Sequence, residues 1–66
     1  MTRASIHRPN LGSLAYVWIG DREYVTASTS EAHNLLARRG HVTMTGRTTS
    51  NGSSVEHYII ERHPNP

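Results

Sequence analysis

The 66-residue chain contains neither cysteine nor lysine. Because cysteine is absent, disulfide bonds and thiolate metal sites are excluded. A domain of this size buries only about 60% of the surface that its unfolded chain exposes, and its core supplies only about 3–5 kcal/mol net. Stability must therefore come from good packing or from self-association, and a homodimer is one state that the sequence allows.

Long apolar runs are also missing. No segment approaches the roughly 18–20 residues that a membrane-spanning helix needs. Residues 1–10 lack the apolar stretch of a secretory signal peptide. We therefore expect a cytoplasmic protein with no membrane partner, in the host cytoplasm if a phage encodes it.

The net charge is small: seven basic and five acidic residues give a formal value of +2. All basic residues are arginine, whose planar fork suits phosphate and carboxylate recognition. A GC-rich genome that writes arginine in place of lysine explains the same composition. Because so small a net charge is weak support for nucleic-acid binding, the clustering of the arginines matters more than their number.

A first hairpin is predicted in the N-terminal half of the chain. Residues 13–19 and 23–27 are rich in β-branched and aromatic side chains, which is typical of strands. Gly20-Asp21 follows the first of these segments and suits a two-residue type II′ turn. This turn sets four cross-strand pairs: Ile19–Arg22, Trp18–Glu23, Val17–Tyr24 and Tyr16–Val25.

A second hairpin is predicted around Asn51-Gly52, a dipeptide that strongly favours a type I′ turn. The flanking strands are predicted over residues 41–49 and 55–62. The turn sets four further pairs: Arg47–Glu56, Thr45–Tyr58, Met44–Ile59 and Val42–Glu61. Opposite charges face each other in the first of these pairs, which supports the register.

Between the hairpins, a helix is predicted over residues 29–39. Ser28 and Glu31 have the spacing of a capping box, in which each side chain accepts a hydrogen bond from the backbone near the other. Gly40 follows the last turn, where a left-handed residue commonly ends a helix. The apolar stripe of this helix consists of Ala32, Leu35 and Leu36.

These elements predict a single α+β domain over residues 13–63, with the order ββαββ. The domain is a four-stranded, mainly antiparallel sheet with one helix packed on one face. Residues 1–12 are interpreted as a flexible N-terminal arm, because Arg8-Pro9-Asn10 and Gly12 interrupt regular structure. Residues 64–66 are expected to fray. One short helix covers one face of such a sheet, so the open face is the first candidate for function.

The hydrophobic pattern predicts which side chains lie on the open face. In the second hairpin, the core set is Val42, Met44, Val55 and Ile59, joined by His57. The first hairpin is apolar on both faces, and we place Ala15, Val17 and Ile19 against the helix. The open face then carries Tyr16, Trp18, Arg47, Tyr58, Thr43 and Thr45. In the reverse register, Trp18 is a core residue and Tyr24 is exposed.

Aromatic and arginine side chains among small hydroxyl residues are typical of protein-binding hot spots. We therefore expect a small non-enzymatic binding protein that engages a protein or nucleoprotein target through the open face. The same composition suits base stacking on a sheet. Packing beneath the arm, or in a dimer seam, explains the aromatic residues without any target.

A nucleic-acid-binding module is the alternative function, and it uses the arginines of the arm and of the helix end: Arg3, Arg8, Arg38 and Arg39. An arginine-bearing arm can follow phosphates or enter a minor groove. A purely structural explanation is also open: Arg38 and Arg39 complement the helix dipole, and the arginines of the arm belong to a solvated tail.

Catalytic and metal motifs are missing. The five histidines lack the close spacing of metal ligands, and we expect no metal, no cofactor and no enzymatic activity. Ser53, Ser54 and His57 lie near one another, with Glu56 adjacent. Because neighbouring strand residues point to opposite faces, His57 and Glu56 are not expected to cooperate.

Residues 52–58, with the sequence GSSVEHY, resemble part of the small toxin ribonucleases that have a double-stranded-RNA-binding-like fold. In that family, the active histidine lies on a strand after a Gly-Ser step. The spacing here is longer, and the family's flanking helix order is absent. The resemblance implies a second alternative, a small ribonuclease-like enzyme that uses His57.

Residues 26–58 combine a helix that begins S-x-S-E-A with two strands joined by an N-G turn. This order resembles that of some small phage anti-CRISPR proteins, which are non-enzymatic blockers of a large nucleoprotein target. The resemblance implies an inhibitor of a host system, encoded by a phage or mobile element.

Overall fold

A computed structural model describes residues 1–9 and 14–62 of the chain. The strands are β1 (Thr2–Arg8), β2 (Ala15–Ile19), β3 (Arg22–Thr26), β4 (His41–Ser50) and β5 (Ser53–Glu61), and the helix is α1 (Thr29–Ala37). The α+β class with one helix and an antiparallel sheet is confirmed. The predicted fraying of residues 64–66 lies outside the described residues.

The strands form one five-stranded sheet in the order β3-β2-β1-β5-β4. Every neighbouring pair is antiparallel. The edge strands β3 and β4 therefore run in the same direction, and α1 connects them across one face of the sheet. The resulting order is βββαββ, with β1 at the centre.

The central strand corrects two predictions: residues 2–8 are not a flexible arm, and the sheet has five strands instead of four. Residues 10–12 of the predicted arm lie outside the described residues. Thr2–Arg8 pairs with β2 on one side and with β5 on the other. Its signal in the sequence is weak, because only Ala4 and Ile6 mark its inward side. Burial between two neighbours, and not the intrinsic preference of these residues, makes the segment a strand.

The core lies between α1 and the middle of the sheet. Its buried apolar side chains are Ala4, Ile6, Ala15, Val17, Ala32, Leu36, Tyr58 and Ile60. The largest that are fully buried, Ile6, Val17 and Leu36, belong to β1, β2 and α1. Each stabilises the fold by about 1.5–3 kcal/mol relative to an exposed position. The expectation that Ala15, Val17 and Ile19 face the helix is confirmed.

The start of α1 follows the predicted capping chemistry. The Ser28 hydroxyl accepts a hydrogen bond from the Glu31 amide at 3.2 Å. The Glu31 carboxylate in turn accepts one from the Ala27 amide at 3.1 Å, one residue before the cap. The helix ends at Ala37 with Arg38 as its C-cap, two residues before the predicted end.

Gly40 lies where α1 passes into β4, and its φ is +155°. A Cβ atom built at this position would overlap the backbone carbonyl oxygen of Glu61. The close approach of β5, together with the positive φ, leaves room only for glycine.

The first hairpin has the predicted register, with all four pairs in place. Gly20 has a φ of +63°, whereas Asp21 is not among the residues with positive φ. A positive φ at the first central position alone is the requirement of a type II′ turn.

The second hairpin begins as predicted and then departs from the prediction. Asn51 and Gly52 have φ values of +50° and +84°, as a type I′ turn requires, and Arg47 pairs with Glu56. A bulge between Met44 and Gly46 makes Thr45 an extra residue on β4 and shifts the register beyond it. The shifted pairs are Met44–Tyr58, Thr43–Ile59, Val42–Ile60 and His41–Glu61.

The predicted faces of β5 are consequently reversed. Tyr58 and Ile60 are buried against the helix side, whereas Val55 and Ile59 are half-buried and His57 is exposed. Both faces of β5 are apolar, so alternation alone does not choose between them. The two predicted open-face residues Arg47 and Tyr58 therefore lie on the helix side. Directly paired residues share a face, which places Arg47 beside Glu56.

Candidate functional site

The face of the sheet opposite α1 is open in the part of the chain that the structure describes, and alternate residues of all five strands form it. The strand registers arrange most of them in three rows across the sheet. The first row is Val25, Tyr16, His7, Val55 and Thr48. The second is Glu23, Trp18, Ser5, His57 and Gly46. The third is Arg3, Ile59 and Thr43.

Trp18 is the most prominent side chain of this open face, and 43% of its surface is exposed. Its partner across β1 is Ser5, which is too small to cover an indole ring. Val25, on the edge strand β3, is 58% exposed. The open face thus presents a large apolar ring with an exposed aliphatic neighbour one row away.

The aromatic group continues from β2 to β1. Tyr16 is half-buried, and the centroids of its ring and of the His7 ring are 6.3 Å apart at an interplanar angle of 43°. His57 is exposed in the same row as Trp18. The rings of the open face therefore lie on three adjacent strands, β2, β1 and β5.

Four of the six predicted partner-binding residues lie on the open side of the sheet: Tyr16, Trp18, Thr43 and Thr45. Thr45 lines a shallow depression there with Arg3, His57 and Ile59. Four members of this surface were not predicted to lie on it: His7, Val55, His57 and Ile59. Val25 follows from the predicted Tyr16–Val25 pair. The polar alternation of Arg3, Ser5 and His7 is the signal that identifies β1 as their neighbour.

Fixed charges on the open face nearly cancel. Arg3 is the single arginine in its three rows, and Glu23 lies in the second row. Glu61 follows Ile59 on the same side of β5, where it pairs with His41. A surface that follows a phosphate backbone needs several fixed cations. The charge balance of the open face therefore favours contact with a protein surface.

The four arginines of the alternative set do not form one patch. Arg3 and Arg8 lie on opposite faces of β1, roughly 16 Å apart along the strand. Arg38 caps the C-terminal end of α1. Arg39 donates a hydrogen bond from Nη2 to the hydroxyl of Tyr24 at 3.0 Å, on the helix side of β3.

A polar cluster lies on the helix side of the sheet and joins α1 to β5. The Tyr58 hydroxyl donates a hydrogen bond to Oε1 of Glu56 at 2.7 Å. Nε2 of His33 lies 3.3 Å from the Tyr58 hydroxyl and 3.6 Å from Oε1 of Glu56. This cluster was not predicted, because the expected register put Tyr58 on the opposite face of the sheet from the helix.

The cluster favours an ionised Glu56 carboxylate and a neutral Tyr58 phenol. The Tyr58 hydroxyl lowers the pKa of Glu56 against the opposing effect of burial, and His33 lowers it further. Burial and the Glu56 carboxylate raise the pKa of Tyr58 well above its usual range. General acids and bases work best with pKa values near the working pH. The pKa of Glu56 lies below its ordinary value and the pKa of Tyr58 lies above it, so both move away from neutral pH. The cluster is therefore suited to tying the helix to the sheet.

The residues of the ribonuclease-like alternative are separated in the fold. His57 is exposed on the open face, whereas Ser54 is buried on the helix side. Glu56 also lies on the helix side, where Tyr58 occupies one of its oxygens. Within the described ranges, the structure does not bring a nucleophile and a base together around His57.

Comparisons with known proteins find no matching family model, no matching curated protein and no matching solved structure. No group of three or more metal-ligating side chains occurs among residues 1–9 and 14–62. Over the same ranges, no helix has the length and apolar character needed to cross a membrane.

Proposed function

We propose that this chain is a small non-enzymatic binding protein whose open face docks against a protein target, free or within a nucleoprotein. The exposure of Trp18 at 43%, on a face that the helix does not cover, is the observation that carries the proposal. Buried tryptophan and tyrosine anchors dominate the binding energy of protein interfaces. An indole already exposed in the free protein gains most when a partner covers it.

The side chains around Trp18 support a protein target. Aliphatic surface comes from Val25, Val55 and Ile59. Hydroxyl groups come from Thr43 and Thr48 on the edge strand β4. An apolar centre with a polar rim is the usual anatomy of a protein interface. The function would be steric: the bound chain occupies a surface that the target needs for another contact.

The binding role of Trp18 is tested by affinity capture with matched variants. Trp18→Ala removes the proposed anchor, and Met44→Ala removes a side chain of similar exposure, 50%, from the helix side. We expect the target captured by the native chain and by Met44→Ala to be lost with Trp18→Ala. Circular dichroism of Trp18→Ala establishes that the fold is retained. Equal capture by both variants would contradict the proposal.

Two further measurements test whether the open face binds a second copy of the chain or a nucleic acid instead. Light scattering reports the mass in solution, and twice the chain mass of 7.4 kDa would make a second copy the partner. Fluorescence anisotropy with labelled RNA and DNA tests the nucleic-acid alternative. Binding that weakens steeply with salt would favour that alternative, because released counterions drive phosphate contacts.

A further inference from the structure

A second surface lies on the helix side of the sheet, beyond the C-terminal end of α1. A depression of about 460 Å³ is lined there by Met1, Thr2, Ile19, Arg39, Ile60 and Arg62. Ile60 is buried and Ile19 is half-buried, and together they form a small apolar floor within a lining whose exposed surface is mostly polar. Arg39 and Arg62 are exposed and form its charged rim.

Arg39 is held in place by Tyr24. Its Nη2 atom donates a 3.0 Å hydrogen bond to the Tyr24 hydroxyl, and its guanidinium carbon lies 5.5 Å from the centroid of the Tyr24 ring. Arg22 and Arg39 both lower the pKa of Tyr24. The phenol is neutral, so its hydrogen bond orients Arg39 without neutralising the guanidinium charge.

These arginines have no carboxylate partner within the described part of the chain. The one ion pair there with a separation within 4.0 Å joins His33 to Glu56. The C-terminal end of α1 offers only about half a negative charge. Arg39 and Arg62, the two arginines that line the depression, carry two positive charges beside its apolar floor. Such a concave cationic surface attracts an anion of matching shape.

We propose that this depression binds a phosphate-bearing ligand, a phosphomonoester with an adjoining carbon-rich or planar group. Arg39 and Arg62 bind the phosphate oxygens through their planar forks, which match phosphate geometry. Ile19 and Ile60 contact the adjoining group. Free mononucleotides and the terminal phosphate of a nucleic-acid strand share this chemistry. The surface lies on the opposite side of the sheet from Trp18, so it is independent of the proposed protein-binding role.

The test follows the backbone amide resonances of the full chain in low salt during titration with inorganic phosphate and then with AMP. We expect saturable shifts at Ile19, Arg39 and Ile60 with both anions. Tighter binding of AMP than of phosphate reports the contribution of the apolar floor. Absence of saturable shifts up to about 10 mM of either anion, the limit of useful affinity, would overturn the proposal.

Variants separate a built site from general attraction by charge. Arg39→Gln and Arg62→Gln are each expected to weaken AMP binding by about tenfold, because each removes a charged fork. Arg38→Gln is the matched control, since Arg38 neighbours Arg39 in sequence but lines a different depression with Glu31 and Leu35. It is expected to weaken binding by less than about twofold. Equal losses in all three variants would overturn the proposal.

Arg62→Gln also keeps the test valid if the loss of the Arg39–Tyr24 contact disturbs the fold.

The two sources of phosphate are then distinguished with oligonucleotides of one sequence, with and without a 5′-phosphate. A preference for the phosphorylated strand over AMP identifies a nucleic-acid end as the ligand. Equal affinity of AMP and the phosphorylated strand identifies a free phosphomonoester. Trp18→Ala leaves both results unchanged, whereas it abolishes the proposed protein binding.

Discussion

The Tyr58 hydroxyl donates a 2.7 Å hydrogen bond to Oε1 of Glu56, two residues earlier on the same strand. Residues two apart on a strand share a face, and here that face is the helix side of the sheet. His33 of α1 lies within 3.6 Å of this pair. The helix side thus combines the apolar core with a polar tie between α1 and β5, and the opposite face of the sheet stays uncovered within the described residues.

Removing the Tyr58 hydroxyl tests this tie. Tyr58→Phe keeps the ring in the core but leaves the buried Glu56 carboxylate without its donor. We expect the free energy of unfolding to fall by about 1–3 kcal/mol, as measured by urea denaturation. Tyr16→Phe on the open face is the control, with an expected change within about 0.5 kcal/mol. Equal losses in the two variants would argue against the tie.

The same pair makes stability depend on pH at both ends of the range. The Tyr58 hydroxyl holds the pKa of Glu56 below its ordinary value of 4.5. The unfolded chain then binds this proton more tightly than the folded chain does. Glu56 therefore contributes its full stabilisation above about pH 4.5, and the contribution is lost as the pH falls further.

Tyr58 acts at the alkaline end. Burial and the Glu56 carboxylate raise its pKa above the ordinary value of 10.0, so the folded chain holds the proton more tightly. Its stabilisation is present below about pH 10 and is lost as the pH rises above it. Urea unfolding across this range should show both declines. We expect Glu56→Gln to flatten the acid decline and Tyr58→Phe to flatten the alkaline one, and unchanged slopes would contradict this assignment.

Two glycines offer a matched test of the backbone path. Gly40→Ala places a Cβ atom against the carbonyl oxygen of Glu61 at a positive φ, and we expect it to destabilise the protein by at least about 2 kcal/mol. A Cβ atom at Gly46 would meet nothing within 4 Å. Gly46→Ala should therefore change the free energy of unfolding by less than about 1 kcal/mol. Thermal unfolding of both variants measures the difference.

The central position of β1 is tested by Ile6→Ala. Ile6 is fully buried, and its truncation should cost about 2–5 kcal/mol, which leaves a domain of this size largely unfolded. Ile59 is half-buried on the open face of β5, so Ile59→Ala should lower the free energy of unfolding clearly less. A small effect of Ile6→Ala on urea denaturation would mean that residues 2–8 are an arm after all.

The parts of the fold that local chemistry specifies were predictable. The turn at Gly20 requires a positive φ, and this fixed every pair of the first hairpin. The cap formed by Ser28 and Glu31 fixed the start of α1. In each case, neighbouring residues supply the decisive contact, so no tertiary information was needed.

The remaining parts depend on contacts that are distant in sequence. β1 carries only two inward apolar residues, and its neighbours β2 and β5 are what make it a strand. Both faces of β5 are apolar, and the bulge near Gly46 decides which partner each residue meets. The Gly20 turn sets the register of the first hairpin, but both faces of this hairpin are apolar, so the sequence leaves two placements of Trp18 open. Packing against α1 decides for the open face. Tyr58 and Arg47 lie on the other face from the predicted one because the register of the second hairpin depends on the bulge.

The most direct test of the central claim, that the open face is the contact surface, is site-specific photo-crosslinking in cells that produce the protein. A benzophenone side chain replaces Val25 on the open face, or Met44 on the helix side, which are exposed to similar extents of 58% and 50%. We predict one discrete crosslinked partner from position 25, lost when Trp18→Ala is added, and none from position 44. A partner captured from position 44 and not from position 25 would contradict the account.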